Sequence, residues 1–147
     1  MTGLPMALGL DIGTSAVKAT LLAADGRIDS AVSSSYVTSS PCPGWAEQSP
    51  DDWWVGIGEV LDEIAARHDL DDAALVIGLT GQMHTTVLRD ERGESLRPAI
   101  LWSDERAGSQ ASALAAGQPA WSEVAGQTPI PAFTSAHLEW VREQEPE

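Results

Sequence analysis

From Met6 to Asp11 the chain is apolar up to a carboxylate, a Gly13-Thr14-Ser15 turn follows, and Val17 to Leu22 is a second largely apolar run. Short apolar runs bounded by turn residues suit extended segments, so this predicts a strand, a tight turn and a second strand. Ala24-Asp25-Gly26 signals another turn, and Ile28 to Val37 mixes apolar with small polar residues, as a third and more exposed strand would. An antiparallel meander of three strands is expected.

Ser39 to Pro50 is rich in Ser and Pro and reads as a loop. A helix is expected from about Pro50 to Arg67. Ser49 suits the cap, Pro50 the first helical position, and Asp51 and Asp52 the positive end of the helix dipole. Trp53, Ile57, Val60, Leu61 and Ile64 then share one apolar face. The continuous apolar run Ala74 to Leu79, ending in Thr80-Gly81-Gln82, predicts a buried parallel strand reached through that helix. Thr86 to Arg89 and Ser95 to Trp102 flank the turn Asp90-Glu91-Arg92-Gly93 as two more extended segments. Ser103 or Asp104 is placed to cap a helix running to about Ala116, where Gly117 stops it. A short helix near Trp121 to Ala125 and a last one capped by Thr134 and ending near Glu143 complete an α/β pattern without internal repeats.

Composition narrows what such a chain can do. Its 147 residues suffice for one domain or part of one, and no apolar run approaches the roughly 20 residues of a membrane-spanning helix. The N-terminus lacks the basic, apolar and small-residue series of a secretion signal, so a cytoplasmic location is expected. A net charge of −14 opposes contacts with nucleic acid and with anionic membranes. The lone Cys42, between two prolines, has no disulfide partner within the chain and no second soft ligand beside it. Against this acidity the single lysine, Lys18, stands out beside seven arginines.

Two groups of residues carry candidate chemistry. In the first, Asp11 ends a strand, Gly13 permits a sharp turn and a close backbone approach, and Thr14, Ser15 and successive N–H groups offer donors to phosphate oxygens. A carboxylate there can hold Mg²⁺ through water, because that cation takes oxygen ligands and keeps part of its hydration shell. Lys18 on the next strand either faces the phosphates or is a solvated edge lysine, and Asp, Gly, Thr and Ser also build ordinary hairpins. The pattern is neither a Walker loop nor a dinucleotide-binding glycine motif.

The second group is Gly81-Gln82-Met83-His84 at the end of the apolar strand, followed by Arg97-Pro98-Ala99-Ile100-Leu101-Trp102-Ser103-Asp104-Glu105-Arg106. Side chains at strand ends of α/β sheets converge on crevices. Gln82 and His84 can exchange hydrogen bonds with hydroxyls, Met83 can follow a carbon chain, and Trp102 can form a flat wall. Taken singly, a histidine or a tryptophan is as well explained by packing.

The order of the pieces is more informative than any one of them. Gly9-Leu-Asp-Ile-Gly-Thr-Ser15, Gly44-Trp-Ala-Glu-Gln-Ser-Pro-Asp-Asp-Trp-Trp54, Gly78-Leu-Thr-Gly-Gln-Met-His84 and Arg97 to Arg106, continuing to Ala132-Phe133-Thr134 and Leu138-Glu139-Trp140, resemble the FGGY family of carbohydrate kinases. Within it they are most similar to the branch acting on D-xylulose, because glycerol kinases carry Arg-Glu where Met83-His84 stand. The resemblance implies an α/β, actin-like ATPase or ribonuclease H-like fold, here as the N-terminal part of a first domain with a mixed sheet flanked by helices. It implies transfer of the γ-phosphoryl group of ATP, with Mg²⁺, to D-xylulose.

By the same resemblance Asp11 serves the metal and catalysis. Gly13, Thr14, Ser15 and Lys18 serve the phosphates, and Gln82, Met83, His84, Trp102 and Asp104 the sugar. It places the family's proton-accepting aspartate and the adenosine-binding domain beyond residue 147, so this chain by itself is expected to be inactive and, with an incompletely covered sheet, to self-associate, as a homodimer or otherwise. Ala16, Ser103, Glu105, Ala132 and His137 depart from the residues usual in the family. A kinase for another sugar or polyol, or a non-catalytic actin-like sugar-binding module, is the alternative.

Overall fold

The computed structural model describes residues 6–70, 75–117 and 121–146. These form two compact units: Met1–Val37 with Asp51–Gln82, and Thr38–Pro50 with Met83–Glu147. In the first unit β1 (Met6–Ile12), β2 (Ala16–Leu22), β3 (Ile28–Ser35) and β5 (Leu75–Gly81) form one sheet in the order β3-β2-β1-β5. The expected meander is present, with β1 antiparallel to β2 and β2 to β3. The strand β5 returns parallel to β1 after the helix α1 (Pro50–Arg67), as a helical crossover predicts. Ala74, the expected first residue of that strand, lies outside the described residues.

Alternation along the strands explains which face is covered. Leu8, Leu10, Val17, Ala19, Leu21 and Val32 are buried together with Val60 and Ile64 of α1. Each such aliphatic side chain contributes about 1.5–3 kcal/mol when fully removed from water. The expected burial of β5 is not found. Its Val76, Ile77 and Leu79 are 58–69% exposed, because among the described residues β5 pairs only with β1 and forms the edge of the sheet. Leu61, expected on the packed face of α1, is also exposed, while Gly56 takes a place in that face.

In the second unit, β4 (Glu47–Gln48) pairs with β6 (Ala99–Ile100), so the expected loop before α1 contains a short strand. Arg89 bridges Ser95 around the Asp90 turn, and Thr86 bridges Ile100. The helices are α2 (Gly108–Gly117), α3 (Trp121–Ala125) and α4 (Thr134–Gln144). The helix α2 begins at Gly108, later than a cap at Ser103 or Asp104 predicts. Phe133, not Thr134, holds the cap position of α4, and no side chain caps it. Ala107, Ala111, Ala136 and Trp140 form the apolar centre of this unit, with Trp45 and Val141 against it.

Gly56 lets α1 lie close to the sheet. A Cβ there would sit 3.3 Å from Val17 Cγ2, 3.5 Å from Ser34 Oγ and 3.6 Å from Tyr36 Cδ1. Gly56→Leu is therefore expected to overpack this contact and destabilise the protein by about 1–3 kcal/mol. Urea unfolding of the two proteins measures it, and an unchanged midpoint would show that α1 does not approach the sheet this closely.

Candidate functional site

The β1–β2 turn brings the first group of residues together. Asp11 is the cross-strand partner of Lys18 and the parallel partner of Thr80, which sets the three on one face of the sheet. That face is opposite the buried one, since Leu10 and Val17, their chain neighbours, point into the core. Between the strands, Gly13 N–H donates to Ala16 O at 3.0 Å, and a Cβ on Gly13 would meet that oxygen at 3.2 Å. Ala16 opens β2 without a left-handed backbone; among the described residues the non-glycine residue found there is His84.

The Gly13 carbonyl is held from two sides. The Tyr36 hydroxyl donates to it, and so does Gln82 Nε2 at 3.1 Å. Burial, and after it the charge of Asp11, pushes the Tyr36 hydroxyl above its ordinary range, which keeps it a donor. Gln82, expected at the sugar, thus buttresses the turn that Asp11 flanks. Tyr36 was missed by sequence reasoning; the available signal was that it is the chain's single tyrosine, at the end of the third strand.

In the second unit Met83 is 73% and Trp102 48% exposed. Thr86 and Ile100 exchange backbone hydrogen bonds in an antiparallel bridge, so His84 and Trp102, two residues beyond it on each side, leave from the same end. His84 adopts φ 62°, a left-handed conformation that costs a side-chain-bearing residue about 1–2 kcal/mol. Such conformations persist where surrounding contacts fix them, and they concentrate at functional positions.

Asp104 is corrected by the structure. Instead of facing a sugar it is 1% exposed, and both carboxylate oxygens are engaged. Oδ1 accepts from the N–H of Arg106 at 2.9 Å and its Nε at 2.8 Å, and Oδ2 from Arg106 Nη2 at 2.8 Å and Ala46 N–H at 2.6 Å. Burial by itself would raise the Asp104 carboxyl, but these bonds outweigh it and hold the group below its usual value. Arg106 also reaches Glu47 at 2.8 Å and lies against the edge-to-face pair Trp45 and Trp140, 3.7 and 4.9 Å from their ring centres. Arg97 joins Glu47 at 2.5 Å and Glu145 at 2.6 Å. Sequence reasoning missed this network, because its members lie about 60 residues apart or more in places, as between Ala46 and Asp104.

Among the described residues no group of three or more His, Cys, Asp or Glu side chains is arranged to hold a metal, and no helix is long and apolar enough to cross a membrane. A single carboxylate beside a donor-rich turn is a group that can share a cation with phosphate oxygens and water.

The model of the FGGY family of carbohydrate kinases, N-terminal domain, matches residues 6–147. The chain belongs to that family. It is 37% identical over 142 residues to the xylulose kinase of Escherichia coli strain K12, covering 97% of this chain and 29% of that protein. The crystal structure of xylulose kinase from Rhodospirillum rubrum superposes with a TM-score of 0.89 at 34% identity, over 96% of this chain and 30% of that one. The fold alone is shared with the Plasmodium falciparum glycerol kinase structure, with a TM-score of 0.86 at 20% identity, over 97% of this chain and 29% of that one. The expected α/β fold, a mixed sheet with flanking helices, is thus that of FGGY sugar kinases, and the chain spans less than a third of these relatives' length.

One buried group gives this part of the protein a measurable signature. His137 is fully buried, with Nδ1 2.8 Å from Thr86 Oγ1. Burial, with help from Arg106 and Arg97 and against Asp104, lowers its pKa to about 4. The unfolded chain binds the proton near pH 6.5 and the folded one only near pH 4, so this contribution to stability is complete above pH 6.5 and lost on acidification towards 4. A loss of up to about 3 kcal/mol over that window is expected. Denaturation midpoints measured across it should fall more steeply than those of His137→Gln, and parallel curves would show that His137 is not buried neutral.

Proposed function

We propose that this chain supplies the metal and phosphate turn, and part of the ketose contact, of a kinase that transfers the γ-phosphoryl group of MgATP to D-xylulose. The observation that carries this reading is the Asp11–Lys18 pair flanking the Gly13 turn, in a chain 37% identical to a xylulose kinase. Phosphoryl transfer depends on positioning and charge neutralisation more than on covalent chemistry by the protein. Lys18 faces the phosphates, and the N–H groups and hydroxyls of Thr14 and Ser15 receive their oxygens, with Gly13 turning the backbone towards them. Asp11 would hold Mg²⁺, which when bound would neutralise charge on the phosphates. Met83, His84 and Trp102 receive the ketose, with Gln82 acting through the Gly13 carbonyl.

In this reading the chain corresponds to the front part of the first FGGY domain, and the general base and the adenosine site belong to segments that the longer relatives possess. A cytoplasmic location accords with such a reaction. The exposed aliphatic residues of β5 support self-association of the isolated polypeptide. Expressed by itself, the 147-residue polypeptide is expected to show no D-xylulose-dependent consumption of ATP.

A chimera that joins this chain to the remaining part of the E. coli xylulose kinase tests the assignment in a coupled assay. Asp11→Asn should depress kcat while leaving D-xylulose affinity nearly intact; normal turnover removes Asp11 from the metal. His84→Ala should raise the KM for D-xylulose roughly two- to tenfold, the loss of about 0.5–1.5 kcal/mol from one hydrogen bond, with little change for ATP. A shifted ATP KM with an unchanged xylulose KM refutes the sugar contact.

A further inference from the structure

His84 has a left-handed backbone at φ 62°, and its neighbours decide where the imidazole goes. Residues 84–86 are fastened to the first turn of α4. The His84 ring lies 4.9 Å, centre to centre, from that of Phe133, with the planes inclined by 38°. Thr86 Oγ1 is 2.8 Å from His137 Nδ1 and 3.3 Å from Thr134 Oγ1. The Thr86 backbone is locked to Ile100 in both directions, at 2.8 and 3.0 Å.

Phe133 is itself fixed. Its N–H donates to Ile130 O at 3.1 Å, and its carbonyl accepts from the N–H groups of Ala136 and His137 at 2.9 and 3.1 Å. Yet its side chain stands outside the apolar cluster of Ala107, Ala111, Ala136 and Trp140, so filling that core is not its role. A partly buried imidazole such as that of His84 still has more than one rotamer open to it, and a rigid ring against one face removes most of them. Orienting the group beforehand spares the entropy that a ligand would otherwise have to remove.

We infer that Phe133 is a positioning residue that sets the orientation of the His84 imidazole for a polyhydroxylated ketose, the first turn of α4 serving as the platform. The inference rests on the reading that His84 touches the sugar. Phe133 touches the ligand only through His84, so its effect should vanish when His84 is gone.

NMR of the 147-residue chain with labelled imidazoles tests the orientation without sugar. Contacts between the His84 and Phe133 rings should persist in Phe133→Tyr. In Phe133→Leu, which keeps an apolar side chain, the His84 shifts should move to rotamer-averaged values while the His137 signals stay in place. Unchanged His84 shifts and couplings in Phe133→Leu overturn the proposal. In the chimera with the remaining part of the E. coli xylulose kinase, the KM for D-xylulose tests the consequence. Phe133→Leu should raise it by about two- to tenfold, and Phe133→Tyr should restore it. His84→Ala combined with Phe133→Leu should have a KM no higher than His84→Ala, and additive losses overturn the coupling. If His84→Ala leaves that KM unchanged, the ketose reading falls, while the sugar-free spectra still judge Phe133.

Discussion

The Arg106 guanidinium is the constraint on which the second unit depends. It is fully buried, and it ties Asp104 and Glu47 together against the rings of Trp45 and Trp140. Those four residues come from the segment before α1, the turn after β6 and the helix α4. A buried cation needs such company: removing one partner of a buried pair leaves an uncompensated charge, at a cost of about 3–5 kcal/mol. One arginine thereby fixes the turn that carries Trp102, the short β4–β6 pairing and the docking of α4. The platform beneath His84 is part of α4, so the candidate sugar contact inherits its geometry from an ion pair that no sugar would touch.

The first unit is organised around a different kind of group. Backbone carbonyls have two lone pairs, and the one at Gly13 receives both a phenol and an amide. Together they fix the carbonyl side of the turn. The sheet contributes its register, which sets Asp11 across from Lys18 on the side away from α1.

Much of this was legible in the sequence where the signal is local. The run Pro50 to Arg67 carries its own cap, dipole charges and apolar period, and α1 has those bounds. The strands β1, β2 and β5 announce themselves as apolar runs ended by turn residues. Asp104 was misread because its neighbours in sequence suggest an open strand end, whereas Ala46, whose N–H it accepts, lies 58 residues away, and its near neighbour Arg106 is shared with the equally distant Glu47. The burial of β5 was misread for the converse reason. A continuous Leu-Val-Ile-Gly-Leu run implies cover on both faces, and the residues described here do not provide it. Tyr36 stands out in the sequence only as the single tyrosine, and Phe133 only as part of a family motif; what each does arises from what folding sets beside it.

The bond from Gln82 to Gly13 spans 69 residues of sequence. The tight turn between β1 and β2 therefore looks local but is not finished locally. A hairpin forms within microseconds, whereas a parallel pairing must first close the long loop through α1. Until β5 has found β1, the Gly13 carbonyl lacks one of its two anchors, and the turn keeps a freedom that the native protein does not allow it. The part of the molecule nearest the start of the chain is thus among the last to acquire its final shape.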